Sequence, residues 1–438
     1  MPPQFEFSRE EVIRIPFLLR PFSRLQSRPT AAEAARLLTV ITLLQRSTVH
    51  PRPHSRREFL GCSVEALLGI GVWQVADHPL GSAQAVSLAA TTALFEIQKV
   101  AADVYFALAR PWALPNSNAA IFVTSSDVLV VDAHSHPAAA AALIAQIKNE
   151  ITSKPVRRLV NTHFHWDHTQ GNHAYRTTGS EVDIIASNTT KQLMSQLLVP
   201  RLRAALDPAS PGPRGSQQVA RQLKDLREIV RRTNSETEKA SLQERIAQLE
   251  SFAAEMKDFL PTLPTVTFDN SYVIREKSYD LHLEFHGFGH TAGDIVVFCP
   301  QRRVIVTGDA YHPGFPGFTD SYPQRWPKCL DSIANLQFDH ILPGHGMVQH
   351  SKQDMNGHRN YIEELTERVI VGKRAGQSIA DLQRNITVTS LKSLHARGLT
   401  LAETSDSLES DIKNNIDGMY DRVEKTSFTG TEPVRLRE

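Results

Sequence analysis

The segment NTHFHWDHTQGN at residues 161–172 constrains the fold more than any other part of the chain. Within six positions it carries three histidines and an aspartate: His163, His165, Asp167 and His168. Imidazole and carboxylate groups are ligands that zinc takes in proteins. The preceding VRRLV reads as a short strand, so the four side chains follow its carboxyl end, where a rigid sheet aims them into one cleft. This pattern predicts a metal site at a sheet edge.

Three later segments supply further candidate ligands, each at a junction of strand and loop. FHGFGHTAGD places His290 in a glycine-flanked turn, VIVTGD places Asp309 at a strand end, and HILPGHG places His345 in another glycine turn. The seven candidates are five imidazoles and two carboxylates. A catalytic zinc usually keeps three protein ligands and an open position. Seven ligands therefore fit two metals about 3.5 to 4 Å apart with one bridging carboxylate.

The order of predicted strands and helices indicates a layered α/β fold. Residues 86–135 read as strands broken by a Ser-Ser-Asp turn, and PAAAAALIAQIKNE at 137–150 reads as a helix that begins with proline. Strands recur at 183–186 and, from residue 264 onward, as TVTF, SYVI, YDLHLEF, DIVVFC and RVIVTG. Strands and helices that alternate in this way favour packed layers of sheet and helix.

A helical insertion at about 198–262 interrupts the strands, and residues from about 353 to 438 are predicted to be mostly helical. Two apolar stripes in the insertion have helical spacing: Val219, Leu223, Leu226 and Val230, and then Leu242, Ile246, Leu249, Ala253, Met256 and Leu260. They fit either a helical hairpin packed on its own seam, or a lid or dimerisation arm over a site. The sequence leaves both interpretations open.

The motifs THFHWDH, GHTAGD, TGD and PGHG, in this order, resemble those of the metallo-β-lactamase superfamily. The resemblance covers roughly residues 95–350, and Asp132 in VLVVDAHSH matches the superfamily's first motif. It implies a four-layer αββα sandwich with the site at one edge of its two sheets. It also implies a position for each ligand: His163, His165 and His290 bind a first metal, Asp167, His168 and His345 bind a second, and Asp309 bridges them.

The resemblance further implies the chemistry. A hydroxide held between two Zn²⁺ ions is the expected nucleophile, because zinc lowers the pKa of bound water toward about 7; iron or manganese are the alternative metals. Asp167 is expected to orient the hydroxide and carry a proton to the leaving group. Asp132 is expected to support the motif loop from behind the ligands. Six other histidines are predicted to be ordinary core or surface residues: His134, His136, His173, His282, His286 and His340.

The segment GDAYHPGFPGF bears on the substrate. Tyr311 is predicted either to donate a hydrogen bond to an oxyanion or to pack on the strand end. His312 stands three residues after Asp309, where one major subclass of zinc β-lactamases carries a lysine that holds the substrate carboxylate. Asp294 stands where glyoxalase II and many lactonases have histidine. Candidate apolar residues of the pocket are Trp166, Phe315 and Phe318.

These features predict a dinuclear zinc hydrolase that acts on a small ester, lactone, lactam or related substrate. The alternatives are a mononuclear iron oxidoreductase of the same fold, similar to the persulfide dioxygenases, and a non-catalytic binding protein. His165 favours hydrolysis over oxygen reduction, because flavodiiron members have a carboxylate there. The formal charge of +1 gives no field for nucleic acid, and no apolar run reaches the ~18 to 20 residues of a membrane span. The expected partner is a small molecule, and the oligomeric state stays open.

Residues 1–85 are predicted to form an N-terminal extension that resembles a twin-arginine export signal, followed by the catalytic domain at 86–438. SRREFL supplies Arg56 and Arg57, CSVEALLGIGVW a short apolar run, and SAQA a cleavage site near Ala85. The expected location is the periplasm or another exported compartment, or the cytoplasm if the segment is not a signal.

Three cysteines are too few for a disulfide framework or a cysteine-rich zinc site. Cys62, Cys299 and Cys329 are predicted to be unpaired, and a bridge between Cys299 and Cys329 in an oxidising compartment is the alternative.

Overall fold

The computed structural model describes residues 94–110, 117–177, 181–210, 219–396 and 405–423. The predicted export signal, its cleavage site and Cys62 lie outside these residues. Within the described parts, no helix is both long and apolar enough to cross a membrane.

The first sheet contains seven strands that lie side by side in chain order. They are β1 (Phe95–Ala101), β2 (Val104–Ala109), β3 (Ala119–Val123), β4 (Val128–Val131), β5 (Val156–Val160), β6 (Asp183–Ser187) and β7 (Val266–Phe268). Neighbours from β1 to β4 run antiparallel, and those from β4 to β7 run parallel. Because β4 and β5 are parallel neighbours, the loops that follow them leave the sheet at the same edge.

The second sheet contains five strands in the order β12-β11-β10-β9-β8. They are β8 (Ser271–Arg275), β9 (Asp280–Glu284), β10 (Val296–Cys299), β11 (Val304–Gly308) and β12 (His340–Pro343). All neighbours are antiparallel except β11 and β12. Because β11 and β12 are parallel, the loops that follow them leave the second sheet at the same edge.

Eleven α-helices occur in the described residues, and most of them cover the sheets. They are α1 (Pro137–Glu150), α2 (Trp166–Thr169), α3 (Asn172–Arg176), α4 (Asn188–Leu206), α5 (Val219–Arg232), α6 (Glu236–Glu255), α7 (Trp326–Ala334), α8 (Lys352–Arg374), α9 (Ile379–Asn385), α10 (Lys392–Ala396) and α11 (Ser405–Tyr420). The helix α1 has the bounds that its sequence predicts, with Pro137 in the first turn. Proline is tolerated there because the amide it lacks has no intrahelical partner.

Three apolar layers hold the sheets and helices together. Phe122 and Leu129 of the first sheet pack against Leu283 and Val297 of the second, which forms the central core. Leu143 of α1 packs on the outer face of the first sheet, and α7 and α8 pack on the outer face of the second. Each large apolar side chain buried in this way contributes roughly 1.5 to 3 kcal/mol. The order is helix, sheet, sheet, helix, so the predicted four-layer αββα fold with a helical C-terminal part is confirmed.

The helices α5 and α6 form a hairpin with an apolar seam. Leu226 of α5 packs with Leu249 and Phe252 of α6, and Leu202 of α4 joins the cluster. The second predicted stripe ends earlier than expected, because α6 ends at Glu255 and Leu260 is 70% exposed.

The two described cysteines, Cys299 and Cys329, are buried and unpaired. They fill apolar positions in different cores, since Cys299 lies between the sheets and Cys329 lies under the outer helices. The prediction of unpaired core cysteines is confirmed for these two.

Candidate metal centre

All seven predicted ligands converge at one edge of the sandwich, in loops that follow or connect strands. The segment 161–168 follows β5 of the first sheet, whereas His290, Asp309 and His345 come from the second sheet. They form two groups in which the ligand atoms lie within 4.8 Å of one another: His163, His165, His290 and Asp309 in one, and Asp167, His168 and His345 in the other. Both sheets therefore contribute to one site.

Asp309 lies between the two groups and faces both. Its Oδ2 lies 3.9 Å from Nε2 of His163, 3.7 Å from Nε2 of His290 and 3.3 Å from Nε2 of His345. Its Oδ1 lies 3.5 Å from Nε2 of His168. This carboxylate is placed where a bridging ligand of two cations would be.

The donor atoms fit a metal. Nε2 of His163, Nε2 of His168 and Oδ1 of Asp309 are buried without a hydrogen-bond partner. Leaving such an atom unsatisfied costs about 1 to 3 kcal/mol, and these three point into the same space between the groups. A divalent cation would satisfy all of them, and a set of imidazoles and carboxylates suits zinc and other first-row metals.

The carboxylates of Asp167 and Asp309 raise the pKa of both histidines in the second group. Burial lowers the pKa of His168, but the charges of Asp309 and Asp167 outweigh burial and hold that pKa well above its usual range. Burial also opposes the charge on His345, yet Asp309 and Asp167 raise its pKa to about 10. At His290 of the first group, burial outweighs the charge of Asp309 and lowers the pKa to about 3. Protons and a metal ion therefore compete for the second group.

Asp132 supports His168 from behind, at the position where its predicted role requires it. Its Oδ2 accepts a hydrogen bond of 2.9 Å from Nδ1 of His168, and its Oδ1 accepts one of 2.8 Å from the amide of Thr162. The first bond turns Nε2 of His168 toward the site. Asp132 and His134 have left-handed backbones, with φ of 69° and 66°. A conformation of this kind costs of order 1 kcal/mol in a residue with a side chain.

A second supporting carboxylate, Asp320, was not predicted from the sequence. Its Oδ2 lies 2.9 Å from Nε2 of His165. Arg201 donates two hydrogen bonds to the same carboxylate, at 2.7 and 2.8 Å. Burial raises the pKa of Asp320, but the bonds from Arg201 and His165 outweigh burial and hold that pKa well below its usual range. Asp320 is therefore an ionised partner of a candidate ligand.

The helical hairpin rests on the loops that carry the site. Phe252 of α6 packs against Trp166, which stands between two candidate ligands, with ring centroids 6.3 Å apart. Glu255 accepts a hydrogen bond of 2.7 Å from Nδ1 of His136 and one of 2.8 Å from the amide of Ala138. The hairpin thus has its own seam and also forms a wall beside the site.

Asp294 fastens the turn that carries His290. Its Oδ2 accepts a hydrogen bond of 2.8 Å from the amide of Thr291. Burial raises the pKa of Asp294 to about 7. The turn thus provides hydrogen-bond partners for this buried carboxyl group.

The remaining predicted residues lie deeper or farther away. Tyr311 is fully buried with its ring 5.4 Å from that of His358, and its role as an oxyanion donor stays a prediction. Phe318 is buried against Trp326, and Phe315 packs against the same outer core. Trp166 is the one of the three predicted pocket residues that lies beside the ligands. None of the six histidines predicted to be ordinary belongs to either ligand group among the described residues.

The site is most accessible at His345. Its side chain is 30% exposed, whereas that of His165 is 17% exposed and the other five ligands are more deeply buried. The ring of His312 lies 5.7 Å from that of His345, and its Nδ1 donates to the carbonyl of Pro313 at 2.9 Å.

One protein family and several solved structures are similar to this chain. Solved structures similar to the chain include a metallo-β-lactamase from Pontibacter korlensis, at 18% identity and a TM-score of 0.42, which covers 61% of this chain and 99% of that one. Another is a metallo-β-lactamase from Hirschia baltica, at 18% identity and a TM-score of 0.40, with coverage of 61% and 97%. A search of curated proteins gave no match. The profile of the metallo-β-lactamase superfamily matches residues 113–345, which is more than half of the chain and contains all seven candidate ligands. The chain therefore belongs to the metallo-β-lactamase superfamily.

Proposed function

We propose that this protein is a hydrolase that uses two divalent metal ions, with zinc as the first choice. The observation that carries the proposal is the position of Asp309, whose carboxylate contacts ligands of both groups. Its Oδ2 lies 3.7 Å from Nε2 of His290 in the first group, and its Oδ1 lies 3.5 Å from Nε2 of His168 in the second. A carboxylate in that position holds two cations a few ångströms apart. His163, His165 and His290 would hold one ion, and Asp167, His168 and His345 the other, as the superfamily's motifs imply.

Two bound Zn²⁺ ions would lower the pKa of a water molecule toward about 7 and polarise a carbonyl or phosphoryl oxygen. The chain's own groups orient and move protons around that centre. Asp167 has Oδ2 3.2 Å from Nε2 of His345, the most exposed ligand. This position supports the proposal that Asp167 takes a proton and passes it to a leaving group. Asp132 keeps Nδ1 of His168 protonated and its Nε2 aimed inward.

The proposed substrate is a small molecule with an ester, lactone, lactam or related bond. The balanced charge of the chain supports a small substrate over a polyanion. The test is hydrolysis by the purified protein of four substrates: a chromogenic β-lactam, an acyl lactone, a thioester and a phosphodiester, each with zinc and with a chelator. Turnover of one class that the chelator removes supports the proposal. No turnover of any class, in protein that carries its metals, would contradict it.

Metal content distinguishes the mononuclear iron alternative. The second ligand group is as well assembled as the first, with Asp167, His168 and His345 within reach of one ion, and this favours two metals. Elemental analysis of the native protein should give close to two metal ions per chain. One iron per chain, with oxygen consumption, would support the oxidoreductase instead. Two metals without any turnover would support the non-catalytic binding protein.

We also propose that the protein is exported by the twin-arginine route. The order of Arg56 and Arg57, a short apolar run and the small residues near Ala85 supports this proposal. That route carries folded proteins, so metals can be loaded before export. Mass spectrometry of the native N-terminus tests it: a start near residue 86 is expected, and a peptide from residues 10–40 in the native protein would contradict it.

A further inference from the structure

The candidate ligand His165 is held from both sides of its ring. Its Nδ1 lies in the first ligand group, 2.9 Å from Nε2 of His290. Its Nε2 lies 2.9 Å from Oδ2 of Asp320. An ionised carboxylate only accepts hydrogen bonds, so Nε2 carries the hydrogen and Nδ1 keeps the lone pair that a metal needs.

Asp320 is in turn held by Arg201. The carboxylate is 10% exposed, and the planar guanidinium binds both of its oxygens, at 2.7 and 2.8 Å. The two parallel hydrogen bonds fix the orientation of the Asp320 carboxylate and also pair its negative charge with the guanidinium. Arg422 adds a longer contact of 3.4 Å to Oδ1 from a more exposed position. Arg201 is therefore the main partner that fixes the orientation of this buried carboxylate.

Arg201 belongs to α4, the helix that leads into the hairpin of α5 and α6. Its guanidinium also lies over the ring of Phe164, 5.3 Å from the centroid, and Phe164 stands between His163 and His165. One side chain from the α4 helix thus contacts both the ligand loop and the carboxylate behind a ligand.

We propose that Arg201 is a positioning residue for metal binding, which acts on His165 through Asp320. Tight metal binding by the first ligand group therefore requires that α4, which carries Arg201, is packed in its place. The inference rests on the proposed function, since it requires that the first group binds a metal. Without the two bonds from Arg201, the buried carboxylate turns toward Arg422, and His165 loses the acceptor that fixes its tautomer.

The test measures metal affinity, not catalysis. The full chain is stripped with a chelator and titrated with Zn²⁺ against a chromophoric chelator that competes for the metal. Partners of this kind behind a ligand are worth about 10- to 100-fold in metal affinity, so Arg201→Gln should weaken the tighter zinc site by about that factor. The matched control is Arg203→Gln, which changes an exposed arginine two residues away on the same helix and should leave the affinity unchanged.

A double-mutant cycle tests the path through Asp320. Asp320→Asn should weaken zinc binding about as much as Arg201→Gln, and the double variant should be no weaker than Asp320→Asn alone. Arg201→Lys, which keeps the charge but cannot form the two-bond fork, should fall between the wild type and Arg201→Gln. Additive losses in the double variant would overturn the proposed path. Equal affinities of Arg201→Gln and Arg203→Gln would overturn the role of Arg201.

The outcomes separate this inference from the function on which it rests. A wild-type chain that binds no zinc and no other divalent metal overturns both. A wild-type chain that binds two zinc ions, with Arg201→Gln unchanged, overturns the positioning role alone. Circular dichroism of each variant, with Arg201→Lys as the mildest change, shows whether a loss of affinity occurs in folded protein.

Discussion

Replacing Gly344 with alanine should disable the metal centre by adding one methyl group. Gly344 follows β12, and a Cβ built on it would lie 2.2 Å from Oδ1 of Asp309 and 2.7 Å from Cε1 of His168. Real Cβ atoms essentially never approach closer than 3.0 Å, so the carboxylate must move by about 0.8 Å, which is 3.0 minus 2.2. A misplacement of about 1 Å in a catalytic site costs of order 100-fold in rate. Gly344→Ala should therefore lose about two orders of magnitude in kcat/KM and bind less than two metals per chain.

The cost in stability should be much smaller than the cost in function. Overpacking of one methyl group typically costs about 1 to 3 kcal/mol, so the variant should stay folded by circular dichroism. Gly317→Ala is the matched control, because its Cβ would make an ordinary contact of 3.5 Å with Cε1 of His290 on another side of the site. The assay compares elemental analysis and hydrolysis rates of both variants. A Gly344→Ala protein with two metals and wild-type turnover would show that Asp309 does not occupy the bridging position.

Four further substitutions have defined outcomes. Asp309→Ala should abolish turnover and lower the metal content while the far-ultraviolet spectrum stays that of the wild type, whereas His173→Ala, at an exposed position, should change neither; metal loss in the second variant would mean that the ligand set is wrong. Phe252→Ala should cost about 3 to 5 kcal/mol in local stability of the hairpin, seen as faster hydrogen exchange in α5 and α6, and unchanged exchange there would refute the packing against Trp166. Glu255→Gln should lower the free energy of unfolding by about 1 kcal/mol at pH 7. Burial raises the pKa of Glu255, but the bonds from His136 and from the amide of Ala138 outweigh burial and lower it, so this stabilisation is present above pH 4.5 and is lost as the pH falls through the folded-state pKa. Urea titrations of both proteins should converge in acid, and a constant gap would contradict the ionic origin.

The candidate ligands were predictable because their geometry is encoded locally. Each motif is a strand followed by a tight loop, and the periodicity of a strand and the position of glycine reveal where that loop begins. The structure places His290, Asp309 and His345 at such loops, as the sequence indicates. The division of the ligands into two groups did not follow from these local patterns. It was implied by the resemblance to the superfamily, and the structure brings the same residues together in two groups.

The surroundings of the ligands were not predictable in the same way. Asp320 is 155 residues from His165 and 119 residues from Arg201 along the chain, and no local pattern marks an aspartate in FPGFTDSY as a partner of either. Phe318 in the same segment was predicted to line the pocket, but Trp326 and the outer helices cover it. An aromatic residue near a motif can line a pocket or fill a core, and only the tertiary packing determines which of the two it does.

The division of the ligands between the two sheets affects how the protein unfolds. Four ligands follow a strand of the first sheet and three follow strands of the second. Each metal ion would therefore join residues 163–168 to the second sheet, one ion through His290 and the other through His345, with Asp309 shared. A metal ion bound by both sheets would act as a reversible cross-link that closes a loop of the chain. Metal at about 1,000 times its Kd would add roughly 4 kcal/mol to the free energy of unfolding. A chelator should then do more than stop the reaction. It should release the two halves of the sandwich from one another and make the chain easier for proteases to cut.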